Sequence, residues 1–321
     1  MAFEQTYLTL ADIEAARARI GPYVRRTPVL TSEVLDDAAG ARLYFKCENL
    51  QQIGAFKARG ATNAVFALSE AEAAHGVATH SSGNHGSAVA RAAKLRGVPA
   101  YIVMPEGAAR PKAIQIERLE GQITYCAPTQ AARETGVAEV IARTGATLIH
   151  PYDNRLVMAG QGTAALELME DAPDLDMVLA PIGGGGLISG VSTAVKALRP
   201  AARMIGVEPA GADDAARSFA AGRLIPLTEV NTLADGLRAS LSADTFAHIR
   251  RGVDEIATVS EAAIVDAMRA LWEALKVVVE PSAAVAYAAI RDGRVEARGR
   301  RVGVILTGGN VDLDRLPWVK A

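Results

Sequence analysis

Short apolar segments alternate with helical segments along most of this chain. The alternation is regular from Gly76 to His150, and a second series begins after the tetrapeptide Pro151-Tyr152-Asp153-Asn154. This pattern is typical of parallel β-sheets covered by helices, an α/β fold. Because the two series are separate, we expect a large domain of residues 1–76 and 152–321, with a small domain of residues 77–151 inserted into it.

The apolar segments predict the strands, and the amphipathic segments between them predict the helices. Strands are predicted at residues 41–47, 77–80, 100–104, 122–126, 147–149, 177–180, 204–208, 255–259 and 301–306. Helices are predicted at residues 10–20, 57–68, 86–95, 111–119, 131–143, 160–169, 187–198, 262–275 and 283–290. The stretch from Gly211 to Leu241 has no clear pattern and is left unassigned.

Composition narrows the class of protein. With 321 residues, of which 50% are hydrophobic, the chain has enough apolar material for two domains. Its net charge of −2, with acidic and basic residues interspersed, argues against a nucleic-acid-binding or membrane-binding surface. Cys47 and Cys126 each lie in an apolar segment, which argues against a disulfide scaffold or a zinc cluster. No apolar run approaches the roughly 18 residues of a membrane span, so we expect a cytoplasmic protein that binds neither nucleic acid nor membrane.

Lys57 stands in the segment Gly54-Ala55-Phe56-Lys57-Ala58-Arg59-Gly60-Ala61, just ahead of an alanine-rich helix. Its small neighbours leave room for a bulky group beside the amine. A partly desolvated lysine has a lowered pKa, which makes the amine a nucleophile towards a carbonyl such as the aldehyde of pyridoxal phosphate. The alternative is a structural lysine in an ordinary glycine- and alanine-rich context, so the hypothesis needs partners elsewhere in the chain.

Gly183-Gly184-Gly185-Gly186 follows an apolar strand and precedes a helix. Backbone N–H groups without side chains approach a phosphate closely, and the helix adds its positive N-terminal end. The Walker pattern is excluded because Leu187-Ile188 follows the last glycine, and the spacing of a dinucleotide site is broken. The segment therefore predicts a site for a single phosphate, with a flexible glycine turn as the alternative.

Two further segments lie where predicted strands end. Ser81-Ser82-Gly83-Asn84-His85-Gly86 opens a helix, and its hydroxyl, amide and N–H groups suit a carboxylate or a ring oxygen of a cofactor. Thr307-Gly308-Gly309-Asn310 follows the last strand, where open parallel sheets bind ligands. Ordinary helix capping and a plain turn are the respective alternatives.

These four segments, in this order, resemble the serine/threonine dehydratase and serine racemase family of pyridoxal-phosphate enzymes. The resemblance extends over nearly the whole chain and implies fold type II, the tryptophan-synthase-β-like α/β arrangement of two open, mostly parallel sheets. Serine racemases and 3-hydroxyaspartate dehydratases are especially similar at residues 80–86, 92–105, 160–167 and 307–313.

The resemblance implies a role for each cofactor-binding residue. Lys57 would form the Schiff base with pyridoxal phosphate, and Gly183, Gly184, Gly185 and Gly186 would hold its phosphate. Phe56 would pack beside the ring, and Asn84 would bond the 3-hydroxyl oxygen. Thr307 would face the pyridine nitrogen, and its hydroxyl would leave that nitrogen largely unprotonated. This favours the expulsion of a β-leaving group over a long-lived carbanion.

The substrate would lie against Ser81, Ser82, Gly83, Asn84 and His85. Ser82 matches the position at which racemases of the family carry a second acid/base, on the ring face opposite Lys57. The serine also occurs in dehydratases, so it permits racemisation without requiring it. Arg133 matches a residue near the substrate in racemases, and a solvated helix arginine is the alternative.

The resemblance also implies a site for a divalent cation. Glu208 and Asp214 would supply carboxylate oxygens and Ala212 a backbone carbonyl, with water completing the shell. Such oxygen ligands suit Mg²⁺, or alternatively Ca²⁺ or Mn²⁺. The alternative is that the two carboxylates only interact with water on a loop and bind no cation.

The predicted reaction is β-elimination of a β-hydroxy amino acid to a 2-oxo acid and ammonia, by a hydroxy-amino-acid dehydratase. L-Serine, L-threonine and 3-hydroxyaspartate are the candidate substrates, and a second carboxylate would need a cationic pocket, for which Arg133, Arg110 and His150 are candidates. Serine or aspartate racemisation with side dehydratase activity is the alternative reaction.

Other functions fit the residues less well. β-Replacement of the cysteine synthase kind is disfavoured because its Ser-x-Lys-Asp-Arg context is absent around Lys57. A binding protein without turnover is disfavoured by the intact lysine and glycine segments. The family resemblance suggests a homodimer.

Overall fold

The computed structural model describes residues 7–81, 83–108 and 110–319. The helices within these ranges are α1 (Leu10–Ile20), α2 (Glu33–Ala39), α3 (Lys57–Ala67), α4 (Glu70–Ala73), α5 (Asn84–Arg96), α6 (Arg110–Arg118), α7 (Gln130–Thr144), α8 (Arg155–Asp171), α9 (Gly186–Leu198), α10 (Asp214–Ala221), α11 (Ala243–Gly252), α12 (Glu261–Leu275) and α13 (Pro281–Arg291). The strands are β1 (Val29–Leu30), β2 (Arg42–Cys47), β3 (Val77–His80), β4 (Ala100–Pro105), β5 (Gln122–Cys126), β6 (Thr147–Leu148), β7 (Met177–Pro181), β8 (Arg203–Pro209), β9 (Glu255–Val259) and β10 (Arg301–Leu306).

The strands form two sheets. The larger has the order β1-β2-β10-β7-β8-β9, and only its edge strand β1 runs antiparallel to its neighbour. The smaller has the order β5-β4-β3-β6 and is parallel throughout. Every residue of β7 is buried, as expected for a central parallel strand that is covered on both faces.

The predicted elements agree closely with the observed ones. Strands β5, β9 and β10 have the predicted bounds. Helix α8 begins at Arg155, five residues before the predicted start, because the Asn154 side chain accepts a hydrogen bond from the Val157 N–H and caps the helix there. The unassigned stretch from Gly211 contains α10, whose eight residues are too few for a clear period.

All strands of the smaller sheet lie between residues 77 and 148, so we propose the division into domains that the sequence predicts. Helix α3 precedes this range, yet Ala61, Ala64 and Val65 share a hydrophobic core with Val77 and with α5. Helix α3 therefore joins the smaller sheet to the rest of the molecule. None of the helices in the described ranges is both long and apolar enough to cross a membrane.

Three helices contact one another through backbone atoms. A Cβ atom at Gly160 of α8 would lie 2.5 Å from the Cα of Gly60 in α3. A Cβ atom at Gly190 of α9 would lie 2.2 Å from the Met158 carbonyl oxygen in α8. Only glycine permits these approaches, so α3, α8 and α9 form one tightly packed layer.

We expect Gly190→Ala to lower the free energy of unfolding by about 2 kcal/mol, because the added methyl group forces α8 and α9 apart. Urea denaturation followed by circular dichroism measures this change. Gly21→Ala is the matched control, since Gly21 has helical φ and a methyl group there would lie 3.3 Å from the Arg17 carbonyl oxygen. Equal stability of the two variants would contradict the close approach.

Candidate active site

A cavity of about 450 Å³ lies where several parallel strands end. Its walls include the segments that follow the carboxyl ends of β3, β7 and β10, one from the smaller sheet and two from the larger. Open α/β sheets bind ligands at this edge, and the volume suits a small cofactor with its substrate.

The cavity brings together most of the predicted cofactor and substrate residues: Phe56, Lys57, Ser81, Gly83, Asn84, His85, Arg133, Gly183, Gly184, Gly185, Gly186 and Thr307. Ser82, the predicted second acid/base, lies outside the described residues. The predicted metal ligands do not line this cavity and lie at the end of β8 and the start of α10. The four sequence segments therefore form one site, with a separate acidic site beside it.

Lys57 is the first residue of α3, and its amine points into the cavity. Its Nζ donates a hydrogen bond to the Pro151 carbonyl oxygen at 2.7 Å and lies 5.1 Å from the centroid of the Phe56 ring. Burial lowers the pKa of Lys57 to about 8. The neutral amine is thus accessible near neutral pH, as a nucleophile or a proton acceptor requires.

The segment ahead of α3 is fixed to the segment that follows β10. The Phe56 N–H donates to the Thr307 carbonyl oxygen at 3.0 Å, and Ala55 forms an antiparallel bridge with Gly308. This pairing places the Thr307 side chain, which is nearly buried, on the same cavity wall as Lys57.

The glycine segment forms a cradle of backbone donors. Gly185 has a φ of 87° and precedes the first residue of α9. Among the described residues, the N–H groups of Gly183 to Gly186 donate to no protein acceptor. A Cβ atom at Gly184 would lie 2.4 Å from the Tyr152 ring, so a larger residue would fill the cradle. Free N–H groups at a helix start fit the phosphate of the predicted cofactor.

Asn84 is held by a chain of side-chain hydrogen bonds. The Asn310 Nδ2 donates to the Asn84 Oδ1 at 2.9 Å, and the Asn84 Nδ2 donates to the Glu280 Oε1 at 2.8 Å. Burial raises the pKa of Glu280 to about 7. The second N–H of the Asn84 amide is left to donate to a ring oxygen, the part that the family resemblance implies for it.

Arg133 contributes the cationic wall of the cavity. Its Nε is buried and has no hydrogen-bond partner within the described ranges, which fits a missing anionic ligand. Of the other two candidates for a second carboxylate, Arg110 is exposed, and neither it nor His150 is among the residues that line the cavity. The His150 Nδ1 instead accepts the Asp153 N–H at 2.9 Å.

The histidines of the site are held uncharged. The His85 Nε2 donates to the Ile149 carbonyl oxygen at 3.0 Å, and burial lowers the pKa of His85 well below its usual value. Burial also lowers the pKa of His80 to about 4. Arg133 is therefore the stronger anchor for an anion on this side of the cavity.

Sequence reasoning missed several polar residues of the cavity wall, among them Tyr152, Lys112, Asp235 and Glu280. Lys112 and Asp235 form an ion pair across the cavity, between α6 and a 3₁₀ turn that the sequence left unassigned. Glu280 had a local signal, since it stands directly before Pro281 at the start of α13. The contacts of the others join distant parts of the chain and have no local signal.

The acidic site contains two buried carboxylates, those of Glu208 and Asp214. Glu208 accepts the Ala216 N–H at 2.8 Å, and Asp214 accepts the Leu241 N–H at 3.0 Å. Both are buried, and burial raises the pKa of Glu208 well above its usual value and that of Asp214 to about 6. Neither forms a salt bridge within the part of the chain that the structure describes. That part also holds no cluster of three His, Cys, Asp or Glu side chains, so a cation here would need backbone and water oxygens as well.

Comparisons with known proteins agree with this geometry. The profile of the family described as "Pyridoxal-phosphate dependent enzyme" matches residues 20–308. The β-hydroxyaspartate dehydratase of Paracoccus denitrificans is 52% identical over 310 residues, which cover 97% of this chain and 98% of that protein. A serine racemase of Oryza sativa is 49% identical, over 94% of this chain and 91% of that protein. The structure of maize serine racemase superposes with a TM-score of 0.94 at 46% identity, over 96% of this chain and 95% of that one.

We expect the apo-protein to capture pyridoxal phosphate at a rate that rises as the pH passes through about 8, because burial lowers the pKa of Lys57 to that value. Only the neutral amine attacks the aldehyde, so well below the pKa capture should slow about tenfold for each pH unit. Stopped-flow absorbance measures the rate.

The Lys57→Ala protein is the control, since it lacks the amine. After borohydride reduction, mass spectrometry should detect covalent cofactor on the wild-type chain and none on this variant. A capture midpoint near 10.5, the ordinary pKa of lysine, would contradict the desolvated amine.

Proposed function

Because this chain belongs to the family of pyridoxal-phosphate-dependent enzymes, we propose that it eliminates the β-hydroxyl group of a hydroxy amino acid and releases a 2-oxo acid and ammonia. The predicted family is confirmed by the match over residues 20–308, and fold type II by the superposition on maize serine racemase. The expectation of an enzyme is likewise confirmed by the similarity to the Paracoccus dehydratase. The observation that carries the proposed reaction is the meeting of the desolvated Lys57 amine and the glycine cradle in one cavity.

Bound pyridoxal phosphate supplies an electron sink that makes the α-proton of an amino acid removable. Gly183 to Gly186 and the start of α9 would hold its phosphate through backbone N–H groups. Asn84 would donate to the ring oxygen, the Thr307 hydroxyl would face the ring nitrogen, and Phe56 would pack beside the ring. Lys57 would supply the amine on the same cavity wall.

Lys57 takes the α-proton from the substrate as a neutral amine, which its lowered pKa permits. The N–H and hydroxyl groups of the segment from Ser81 to His85 bind the α-carboxylate. For Ser82 we keep the role of acid/base on the opposite face as a proposal. In the net reaction the α-proton and the β-hydroxyl leave as water. The unsaturated amine that remains tautomerises to an imine, which a water molecule hydrolyses to the 2-oxo acid and ammonia.

We propose 3-hydroxyaspartate as the preferred substrate, with Arg133 as the partner of its second carboxylate. The buried, unpartnered Nε of Arg133 supports this choice within the described ranges, as does the 52% identity to β-hydroxyaspartate dehydratase. Serine or aspartate racemisation is the second candidate, and the similarity to serine racemases favours it.

We also propose a divalent cation, Mg²⁺ or alternatively Ca²⁺ or Mn²⁺, at Glu208, Asp214 and the Ala212 carbonyl. The two buried carboxylates, which lack a salt bridge in the described ranges, support it. A homodimer, which rests on the family alone, and a cytoplasmic location, which rests on the sequence composition, complete the proposal.

We expect rapid oxaloacetate release from one 3-hydroxyaspartate isomer and slower product release from L-serine and L-threonine, because Arg133 pairs only with a second carboxylate. Arg133→Gln should raise KM for 3-hydroxyaspartate about 10- to 100-fold, the value of a charge-assisted hydrogen bond, and leave KM for L-serine within about threefold. A coupled oxo-acid assay with pyridoxal phosphate and Mg²⁺ measures both.

Arg143→Gln is the matched control, since Arg143 lies on the same helix and is exposed. It should leave KM for both substrates unchanged. An equal rise in KM for both substrates in Arg133→Gln would contradict the proposal that Arg133 binds the second carboxylate. D-Amino acid as the main product, without oxo acid, would establish the racemase instead.

We expect Mg²⁺ to raise the Tm of the wild-type protein and not that of Glu208→Gln, because a ligand that binds only the folded state stabilises it. Differential scanning fluorimetry measures the shift. Asp213→Asn is the control, since Asp213 pairs with Arg217 at 2.8 Å and should keep the response to Mg²⁺. A full response in Glu208→Gln would place the cation elsewhere.

A further inference from the structure

A group of charged side chains lies buried behind the first turn of α3, on the side away from the cavity. The group, which we name the Arg59 cluster, consists of Lys46, Glu48, Arg59 and Glu167, and no side chain in it is more than 9% exposed. Two cations face two carboxylates, so the cluster carries no net charge. The mechanism proposed above uses none of these residues.

Arg59 joins both carboxylates with paired hydrogen bonds. Its Nε and Nη2 donate to the two Glu48 oxygens at 2.7 and 2.9 Å. Its Nη1 and Nη2 donate to the two Glu167 oxygens at 2.8 and 2.7 Å, and Nη1 also donates to the Thr163 hydroxyl at 3.1 Å. All five guanidinium N–H groups are therefore used.

Lys46 completes the cluster from β2. Its Nζ donates to Glu167 and to the Thr27 carbonyl oxygen, both at 2.6 Å. Glu48 follows β2 and Glu167 belongs to α8, so Arg59 ties the start of α3 to two other elements.

The geometry of the helix relates Arg59 to Lys57. Residues two positions apart point about 200° apart around a helix axis, so Lys57 faces the cavity while Arg59 faces the cluster. The first N–H groups of a helix lack the usual partner four residues earlier within the helix. In α3, the Ala58 and Arg59 N–H groups donate to the Ala55 and Phe56 carbonyl oxygens at the helix start. The Gly60 N–H donates a hydrogen bond to the Gln161 Oε1 at 3.1 Å, and this bond anchors the same turn.

We propose that Arg59 is a positioning residue that holds the first turn of α3 and thereby sets where the Lys57 amine lies in the cavity. The inference rests on the proposed role of Lys57. The planar guanidinium group of Arg59 binds two carboxylates from different elements. It therefore fixes both the orientation and the position of the turn.

Arg59→Lys is the most specific test, because it keeps the positive charge and removes the planar guanidinium group with its paired N–H donors. One ammonium cannot reproduce four paired bonds, so the turn loosens and the amine of Lys57 moves towards water. The titratable groups around that amine are His85, His150 and Tyr152, and burial keeps all three uncharged near neutral pH. A change in the titration of Lys57 in this variant therefore reports its position.

We expect Arg59→Lys to raise the midpoint of Lys57 acetylation by acetic anhydride, in the apo-protein, by about one pH unit. Mass spectrometry of the Lys57 peptide measures it without cofactor. The capture midpoint for pyridoxal phosphate should rise equally. In the holoenzyme kcat should fall at least about tenfold with KM nearly unchanged, since misplacement of a reacting group lowers turnover more than binding.

Lys46→Met is the matched control. It removes a buried charge from the same cluster but leaves both paired contacts of Arg59 in place. It should lower Tm without a shift of the Lys57 midpoint. An equal shift in Lys46→Met would overturn the proposal, because general loosening would then explain the effect.

Arg59→Lys with the wild-type midpoint and kcat would also overturn the proposal. If Arg59→Lys does not fold, Glu48→Gln takes its place, since it weakens one of the two paired contacts. It should shift the midpoint in the same direction, and an unchanged midpoint would overturn the proposal. Failure of the wild-type protein to capture pyridoxal phosphate would reject the proposed function instead, while the acetylation midpoint still tests Arg59.

Discussion

Charged groups that are removed from water must be paired, neutralised or matched by a ligand, and the placement of the site depends on this constraint. The Arg59 cluster pairs its charges completely, so it serves as fixed structure. Lys57 meets the constraint by a lowered pKa. Glu208 and Arg133 meet it only in part within the described ranges, and for this reason we propose a cation at Glu208 and an anion at Arg133. The degree of pairing is thus the physical basis on which we distinguish supporting residues from proposed binding residues.

Parallel topology explains why the binding residues meet. Strands β3, β7 and β10 end at the same cavity, so the polar segments that follow them converge although they are far apart in sequence. The bond between Asn84 and Glu280 spans 196 positions of the chain, and that between Asn84 and Asn310 spans 226. Each contact joins the smaller sheet to the larger one, so the cavity depends on the relative position of the two sheets.

The parts of the structure that could be predicted are those with a local cause. Buried parallel strands appear as apolar runs, and β5, β9 and β10 were predicted to the residue. The segments that line the cavity could be singled out because small and polar residues directly follow such strands. Short helices such as α10 were not predicted, since eight residues give too few turns for a clear period.

Residues whose importance comes from distant contacts could not be predicted in this way. The ion pair of Lys112 with Asp235 crosses the cavity between segments 123 positions apart. Arg110 and His150 were candidates because of their charge, and neither is among the residues that line the cavity. Charge in a sequence indicates what a residue can bind, whereas the fold decides whether it faces the ligand.

The distance between the reactive amine and the phosphate cradle follows from the same packing. Helix α8 contacts α3 at Gly160 and α9 at Gly190 through backbone atoms, and these contacts leave no room for either helix to slide. Helix α3 begins with Lys57, and α9 begins with the last glycine of the cradle. Glu167 of α8 holds Arg59, so one helix fixes both ends of the site. The separation between the glycine segment and the Lys57 amine therefore follows from glycine contacts and buried charges.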